Sequence, residues 1–345
     1  MNNKITRLLI VGLGSIGKRH LKIANELLPN VKIAVLRHVS CNELPDLKID
    51  SCFTNTEDAL NFKPEAAIIA NPASYHIEIA MLLANAGIHL LIEKPIAHNL
   101  HGVAELVELC QKRKLTLMIG YNLRFSPSLI IFKDCINNKV GEKFSIRTEA
   151  GQNLISWRPG SDYRNTVSAQ KKLGGGVLLE LSHEIDYLQW LFGTVVWVKS
   201  HVSRQGNLEI DVEDTANFLL GFKKNKNTKE IVANVTLDFI RHDATRQCLV
   251  VGEEGTLRWD GIKGDVDFFP ANGDSWEMIF SEKPEQDLTY KEELKNFILC
   301  VHDGNKPLVT GEDGLYALTI IEAINKSSDI GKVVYLEKNM KVVQT

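Results

Sequence analysis

The chain predicts two kinds of fold in series: a doubly wound, parallel α/β half followed by an open, mainly antiparallel α+β half. Three observations predict it. A short apolar run enters a glycine-rich turn and then a helical pattern near the N-terminus. Strand-like and helix-like segments then alternate, as a parallel sheet buried on both faces requires. After Arg124 that rhythm stops and strand-like runs follow one another.

Leu8 to Val11 is apolar, long enough for a buried strand and too short for a helix. It runs into Gly12-Leu13-Gly14-Ser15-Ile16-Gly17, then a helical pattern carrying Ile16, Leu21, Ala24, Leu27 and Leu28. In the order strand, turn, helix, this G-x-G-x-x-G is the fingerprint of a dinucleotide-binding Rossmann unit. Gly12 allows the tight turn, Gly14 lets backbone amides approach a pyrophosphate, and Gly17 lets helix and strand pack closely. The pyrophosphate then sits at the positive end of the helix, beside Ser15 and Ile16.

Val31 to Leu36 reads as the second strand and ends in Arg37-His38-Val39-Ser40. An acidic residue there would bond the ribose 2′-hydroxyl of NAD. None is present, and Arg37 and Ser40, beside His38, can instead hold a 2′-phosphate, so the chain leans to NADP over NAD. Thr56 to Phe62 predicts a short helix capped by Thr56 or Asn55. Ala66 to Ala70 predicts a strand, His76 to Ala86 a helix ended by Gly87, and Ile88 to Ile92 a strand. Val103 to Lys112 is then helical and Leu115 to Ile119 extended. Ligands of such sheets bind at the carboxyl ends of the strands. Asn71, Pro72, His76, Glu93 and Lys94 therefore belong to the cofactor side, and Tyr121 and Arg124 to the substrate side. The division falls near residue 122, giving a dinucleotide-binding domain over 1–122 and a substrate-binding and oligomerisation domain over 123–345.

In the second half, Lys143 to Gly151, Val195 to Arg204, Asp214 to Phe222 and Glu230 to Ile240 read as strands. Arg246 to Val251 and Thr256 to Asp260 form a hairpin about Gly252-Glu253-Glu254-Gly255. The Lys223 to Asn227 stretch reads as a solvated hairpin tip, and Tyr290 to Val301 and Gly311 to Ser327 as helices. The densest site signal lies between the first two strands. A loop from Trp157 to Arg164 carries Arg158, Asp162, Tyr163 and Arg164, and guanidinium forks suit carboxylate or phosphate. After Gly174-Gly175-Gly176 comes one helix, Val177 to Phe192, with Val177, Leu178, Leu181, Ile185, Leu188 and Phe192 on one face. Glu180, His183 and Tyr187 fall on the other, which with Trp190 suits a cleft lining better than a solvated surface.

Composition narrows the classes. At roughly 150 residues per domain, 345 residues make about two domains. The net charge of -3, with 44% apolar and 24% charged residues, excludes a disordered chain and favours neither nucleic acid nor an anionic membrane. The six cysteines stand singly, against a zinc ribbon, a redox dithiol or a disulfide framework, and most are expected as small core residues in a reducing compartment. No apolar run reaches the roughly 18 residues of a membrane span. Lys18-Arg19-His20 follows the first apolar run where a signal peptide would place a small-residue cleavage site, so the protein is expected in the cytoplasm. His98 and His101 have an i, i+3 spacing without a third ligand nearby, and no metal is expected.

Together these features resemble the glucose–fructose oxidoreductase/inositol dehydrogenase (Gfo/Idh/MocA) family. The similarity runs through the first glycine motif, the N-P-x-x-x-H segment ending at His76, and Glu93-Lys94-Pro95. It continues through the G-G-G…H-x-x-D segment from Gly174 to Asp186 and the last helix after Gly311-Glu312-Asp313. The resemblance implies a Rossmann domain with an open antiparallel sheet domain, moving hydride between NAD(P) and a carbon of a sugar, polyol or nucleotide sugar. By the same resemblance Lys94 stands beside the nicotinamide and the reacting hydroxyl, and His183 exchanges the hydroxyl proton. One departure is visible: inositol dehydrogenases carry an Asp four residues before that His, where this chain has Leu179, which leaves either Glu180, one residue later, to support the histidine or a dyad reduced to Lys94 and His183. The chemistry agrees. Alcohol oxidation needs a base that titrates near neutrality, which a histidine supplies, and a donor to the developing alkoxide, which a lysine supplies. Two other activities occur among such proteins: glycoside cleavage through transient oxidation by a held NAD, and cofactor binding without chemistry. A homo-oligomer, dimer or tetramer, is expected from the open sheet face.

Overall fold

The computed structural model describes residues 5–39, 48–158, 160–223 and 230–336, with the backbone of 342–343. Ser40, the 224–227 part of the lysine-rich tip and Cys41 lie outside the described residues.

Short apolar runs build the first sheet. β1 (Arg7–Val11), β2 (Lys32–Leu36), β4 (Ala66–Ile69), β5 (His89–Ile92) and β6 (Leu117–Ile119) are buried over most of their length. That pattern belongs to a sheet covered on both faces. β3 (Ser51–Phe53), three half-buried residues, was too short to read from sequence. The six strands pair in parallel in the order β3-β2-β1-β4-β5-β6. Between them run α1 (Ser15–Leu27), α2 (Thr56–Asn61), α3 (His76–Asn85) and α4 (Val103–Arg113). Of the two residues expected to open α2, Asn55 is the cap: its side chain accepts from Asp58 N–H.

Among the described residues the second sheet has ten strands. The chain passes through α5 (Pro127–Asn138), β7 (Lys143–Gly151), α6 (Leu154–Trp157), α7 (Val177–Glu180) and α8 (His183–Phe192). β8 (Val195–Ser203), β9 (Thr215–Phe222), β10 (Ile231–Asp238), β11 (Thr245–Gly252), β12 (Gly255–Asp260), β13 (Asp265–Pro270) and β14 (Glu277–Ser281) follow. After α9 (Leu288–Asp303) and α10 (Gly311–Ile330) come β15 (Val334–Leu336) and β16 (Val342–Val343). The spatial order is β14-β13-β12-β11-β7-β10-β9-β8-β15-β16. Every pairing is antiparallel except β7 with β10. Helix α5, unmarked in the sequence reading, starts with Pro127 in its first turn and packs Phe132 against Trp259, whose Nε1 donates to Ser128 Oγ at 2.9 Å.

The chain packs as two units, Met1–Asn122 with Gln286–Leu315, and Leu123–Glu285 with Tyr316–Thr345. Helix α9, assigned from sequence to the second half, therefore belongs to the first. It buries Leu294, Phe297 and Val301, and Lys291 reaches Glu26 of α1 at 2.7 Å. Cys110, Cys135, Cys248 and Cys300 are free and buried, as expected of core thiols. Cys52 departs from that expectation and is disulfide-bonded. No helix among the described residues is long and apolar enough to cross a membrane.

Candidate active site

In the first unit the glycines of the first turn have separate jobs. Gly12 has φ +87°, and a Cβ there would lie 2.8 Å from Asn71 N. A Cβ on Gly17 would lie 2.2 Å from Gly12 O, so this glycine is what allows α1 to sit against the turn. Gly14 is different: a Cβ there meets nothing within 4 Å. It stands at the N-cap of α1 with no side-chain cap and no acid in the first turn. The first amides of α1 are thus left for a ligand, beside exposed Ser15 and half-buried Ile16. Asn71 Oδ1, at the neighbouring strand end, is buried with no hydrogen-bond partner among the described residues. These features fit a dinucleotide pyrophosphate. At the end of β2, Arg37 is half-buried and His38 exposed, and no acid follows the strand through Val39.

His76 is buried, with Nε2 2.8 Å from Asn71 O and Nδ1 3.0 Å from Pro95 O. It ties the Asn71-Pro72 strand end to the segment after Lys94, and burial depresses its pKa despite the two carbonyls. Glu93 is 8% exposed; its Oε1 accepts from His20 Nε2 at 2.6 Å and its Oε2 from the Lys94 backbone N–H at 3.2 Å. Lys94 is half-buried and precedes Pro95 through a cis peptide. Tyr121 is fully buried, and Asn122 donates to Thr289 Oγ1 at 2.8 Å. His98 Nε2 contacts Asn99 Nδ2 at 2.9 Å.

In the second unit the glycine run is required by close approaches. A Cβ on Gly175 would lie 2.3 Å from Val167 O, and Gly176 has φ +113° with the Glu213 carboxylate 2.3 Å from where its Cβ would be. Glu213 accepts from Leu178 N–H at 3.1 Å and so caps α7; burial raises its pKa. The single helix expected over Val177 to Phe192 is broken. α7 ends at Glu180, and Glu184 N–H reaches Leu181 O in a tighter turn that spans the start of α8 at His183. Glu180 and His183 therefore flank a break. Glu180 accepts from Ser168 Oγ at 2.9 Å, and His183 is 8% exposed at the first position of α8.

The face expected to line a cleft is buried from His183 to Leu188, because both sides of this part of α8 are covered. Tyr187 has no exposure and packs edge-on to Trp259 at 5.4 Å, and burial raises its pKa well above the ordinary phenol range. Arg124 is 2% exposed and forks onto Asp186, Nε–Oδ2 3.0 Å and Nη2–Oδ1 2.7 Å. Glu184, fully buried, accepts from Arg246 Nε at 2.7 Å. Sequence reasoning missed Glu184, Glu213 and Arg246; the one signal was acids spaced through an otherwise apolar helix.

In the 157–164 loop, Asp162 caps Tyr163–Asn165 through Arg164 N–H and also binds Arg164 Nε at 2.9 Å. That pairing holds the Asp162 carboxyl below its usual range. Arg164 also reaches Glu209 at 3.2 Å, and Glu209 N–H donates to Tyr163 Oη at 3.1 Å. Trp157, exposed Arg158, Tyr163 and Ser168 line one concavity.

The parallel sheet and bare helix terminus define a dinucleotide-binding protein with a second, sheet-built unit. Residues 6–121 match the "Oxidoreductase family, NAD-binding Rossmann fold" and residues 146–336 the "Oxidoreductase family, C-terminal alpha/beta domain". The chain belongs to the Gfo/Idh/MocA oxidoreductase family. Similar curated proteins include myo-inositol 2-dehydrogenase of Thermotoga maritima, 25% identical over 96% of this chain and 99% of that one. D-apiose dehydrogenase of Paraburkholderia graminis is 25% identical over 78% and 72%. Among solved structures, a levoglucosan dehydrogenase complex with NADH has TM-score 0.82 at 19% identity, covering 95% and 98%. The WlbA dehydrogenase of Bordetella pertussis with NADH and UDP-GlcNAcA has TM-score 0.80 at 21% identity, covering 97% and 99%. Both share the fold.

Proposed function

We propose that this protein transfers hydride between a nicotinamide dinucleotide and a secondary alcohol or ketone carbon of a sugar, polyol or nucleotide sugar. The observation that carries the proposal is the uncapped N-terminus of α1 at Gly14, open where a pyrophosphate needs access, in a chain of an oxidoreductase family. Gly12, Gly14, Ser15, Ile16 and Gly17 would hold the pyrophosphate, with Asn71, Pro72 and His76 shaping the adjoining strand end. Bound there, the nicotinamide supplies the hydride acceptor or donor. Lys94 donates a hydrogen bond to the reacting oxygen, and His183 takes or returns the hydroxyl proton. Glu180, bonded to Ser168, supports the histidine side in place of the Asp that Leu179 replaces.

Arg37 and Ser40 favour NADP, since a guanidinium suits a 2′-phosphate. Arg158 and Tyr163 face the substrate, with Asp162 and Arg164 shaping the loop; Arg124 and Tyr187 act from within the unit, where Asp186 and Trp259 hold them. The setting we propose is a cytoplasmic homo-oligomer, checked by light scattering. The test is nicotinamide absorbance with NAD and NADP against myo-inositol, D-apiose, levoglucosan and UDP-GlcNAcA. Sustained cofactor turnover with a member of this set is the expected result; cofactor binding without turnover on any of them contradicts it.

A further inference from the structure

Around the strand end that carries Lys94, three ionisable side chains of the first unit meet away from water. His20 of α1, Glu93 after β5 and Glu293 of α9 each bring one polar atom within 4.8 Å of the others. His20 and Glu293 are 0% exposed. Glu93 is fully engaged: Oε1 accepts from His20 Nε2 at 2.6 Å and Oε2 from the Lys94 amide. Gly120 leaves it room, since a Cβ there would lie 3.1 Å from Oε2. Both oxygens of Glu293 are buried with no hydrogen-bond partner among the described residues. The other ionisable groups here are Tyr290, edge-on to His20 at 5.9 Å, and Arg19, over the Tyr290 ring at 4.8 Å and paired with Asp287 at 3.0 Å. Burial, then the charge of Glu93, holds the Glu293 carboxyl well above the carboxylate range.

Two adjacent carboxylates in an apolar setting cannot both be anions without a compensating cation or proton. A metal fits the spacing poorly. Ligands bonded at about 2.0–2.2 Å around a tetrahedral zinc lie about 3.4 Å apart, whereas His20 and Glu93 stand at hydrogen-bond distance. We propose that His20, Glu93 and Glu293 form a buried polar set that fixes the backbone at Lys94, making His20 and Glu293 positioning residues for it. The proposal rests on the reading that Lys94 acts in the reaction. His20 fixes one oxygen of Glu93 so that the other meets the Lys94 N–H. Glu293, as the neutral acid, leaves the single negative charge on Glu93, where it strengthens that bond.

The test uses the full chain, the best substrate of the panel above, and two independent readouts. In the infrared, the wild type carries a neutral-carboxyl C=O band that Glu293→Gln removes; absence of that band, or a stoichiometric bound metal, overturns the proposal whatever the activity. In kinetics, Glu293→Gln keeps wild-type turnover and pH profile because the amide mimics the neutral acid, whereas Glu293→Leu and His20→Gln lower kcat about tenfold to a hundredfold at unchanged dinucleotide affinity. Those losses vanish in a Lys94→Ala background if they act through Lys94, and full additivity there overturns the proposal. Wild-type turnover of Lys94→Ala alone would instead remove the parent reading, on which the infrared result does not depend.

Discussion

At the scale of single residues, Lys94 carries the sharpest consequence. It is held by the Glu93 carboxylate on its backbone amide and lies apart from the glycine turn in sequence. Lys94→Ala should lower turnover by about 10²–10⁴-fold with dinucleotide affinity near wild type, measured by steady-state rates and nicotinamide fluorescence. Histidines set a second, independent expectation. Burial lowers the pKa of His76 and His89, and His89 Nδ1 accepts from Thr116 N–H at 2.9 Å, a bond that a proton would break. His89, with Nδ1 as an acceptor, is neutral when folded, while the unfolded chain binds a proton on it below about pH 6.5. Its contribution is therefore present above that pH and lost as pH falls toward the lower folded value. His89→Asn, which keeps an acceptor, should flatten the acid-side slope of stability by up to one proton, read from denaturant melts at several pH values.

At the scale of elements, glycines separate binding from folding. Gly14→Ala places a methyl in open space and should weaken dinucleotide binding while leaving the melt unchanged. Gly17→Ala drives a methyl into Gly12 O and should cost about 1–3 kcal/mol of stability, seen in the same denaturant melts. The parallel strands, the glycine turn and its helix were legible because buried strands are short apolar runs and the turn residues have fixed spacing. β3 was hidden by its three-residue length, and α5 because Leu129 to Phe132 looks extended until Pro127 is read as a helix start. The break between α7 and α8 was hidden for another reason. Helical periodicity assumes one dry face, but here Glu184, Asp186 and Tyr187 are buried by ion pairs and an aromatic contact. His183 is nominated by type and motif alone, which do not reveal its position at the start of a new helix.

At the scale of the whole molecule, a net charge of -3 leaves any recognition of small anions to local charge placement. Arg37 is the specificity element proposed here. Arg37→Ala should reduce the kcat/KM ratio of NADP over NAD by about tenfold to a hundredfold, the worth of a charge-assisted bond of about 1.5–3 kcal/mol. The sequence also could not reveal that Gln286–Leu315 returns to the first unit, since only folded contacts such as Lys291 to Glu26 report it. That return supplies Glu293 and Tyr290 beside His20. The most direct test of hydride transfer remains the initial rate of nicotinamide reduction, with sugars, polyols and nucleotide sugars, for wild type and Lys94→Ala side by side. The predicted result is sustained turnover by the wild type with at least one of these alcohols and its loss in the variant. Cofactor binding with no turnover on any alcohol, or equal turnover by both proteins, would contradict it.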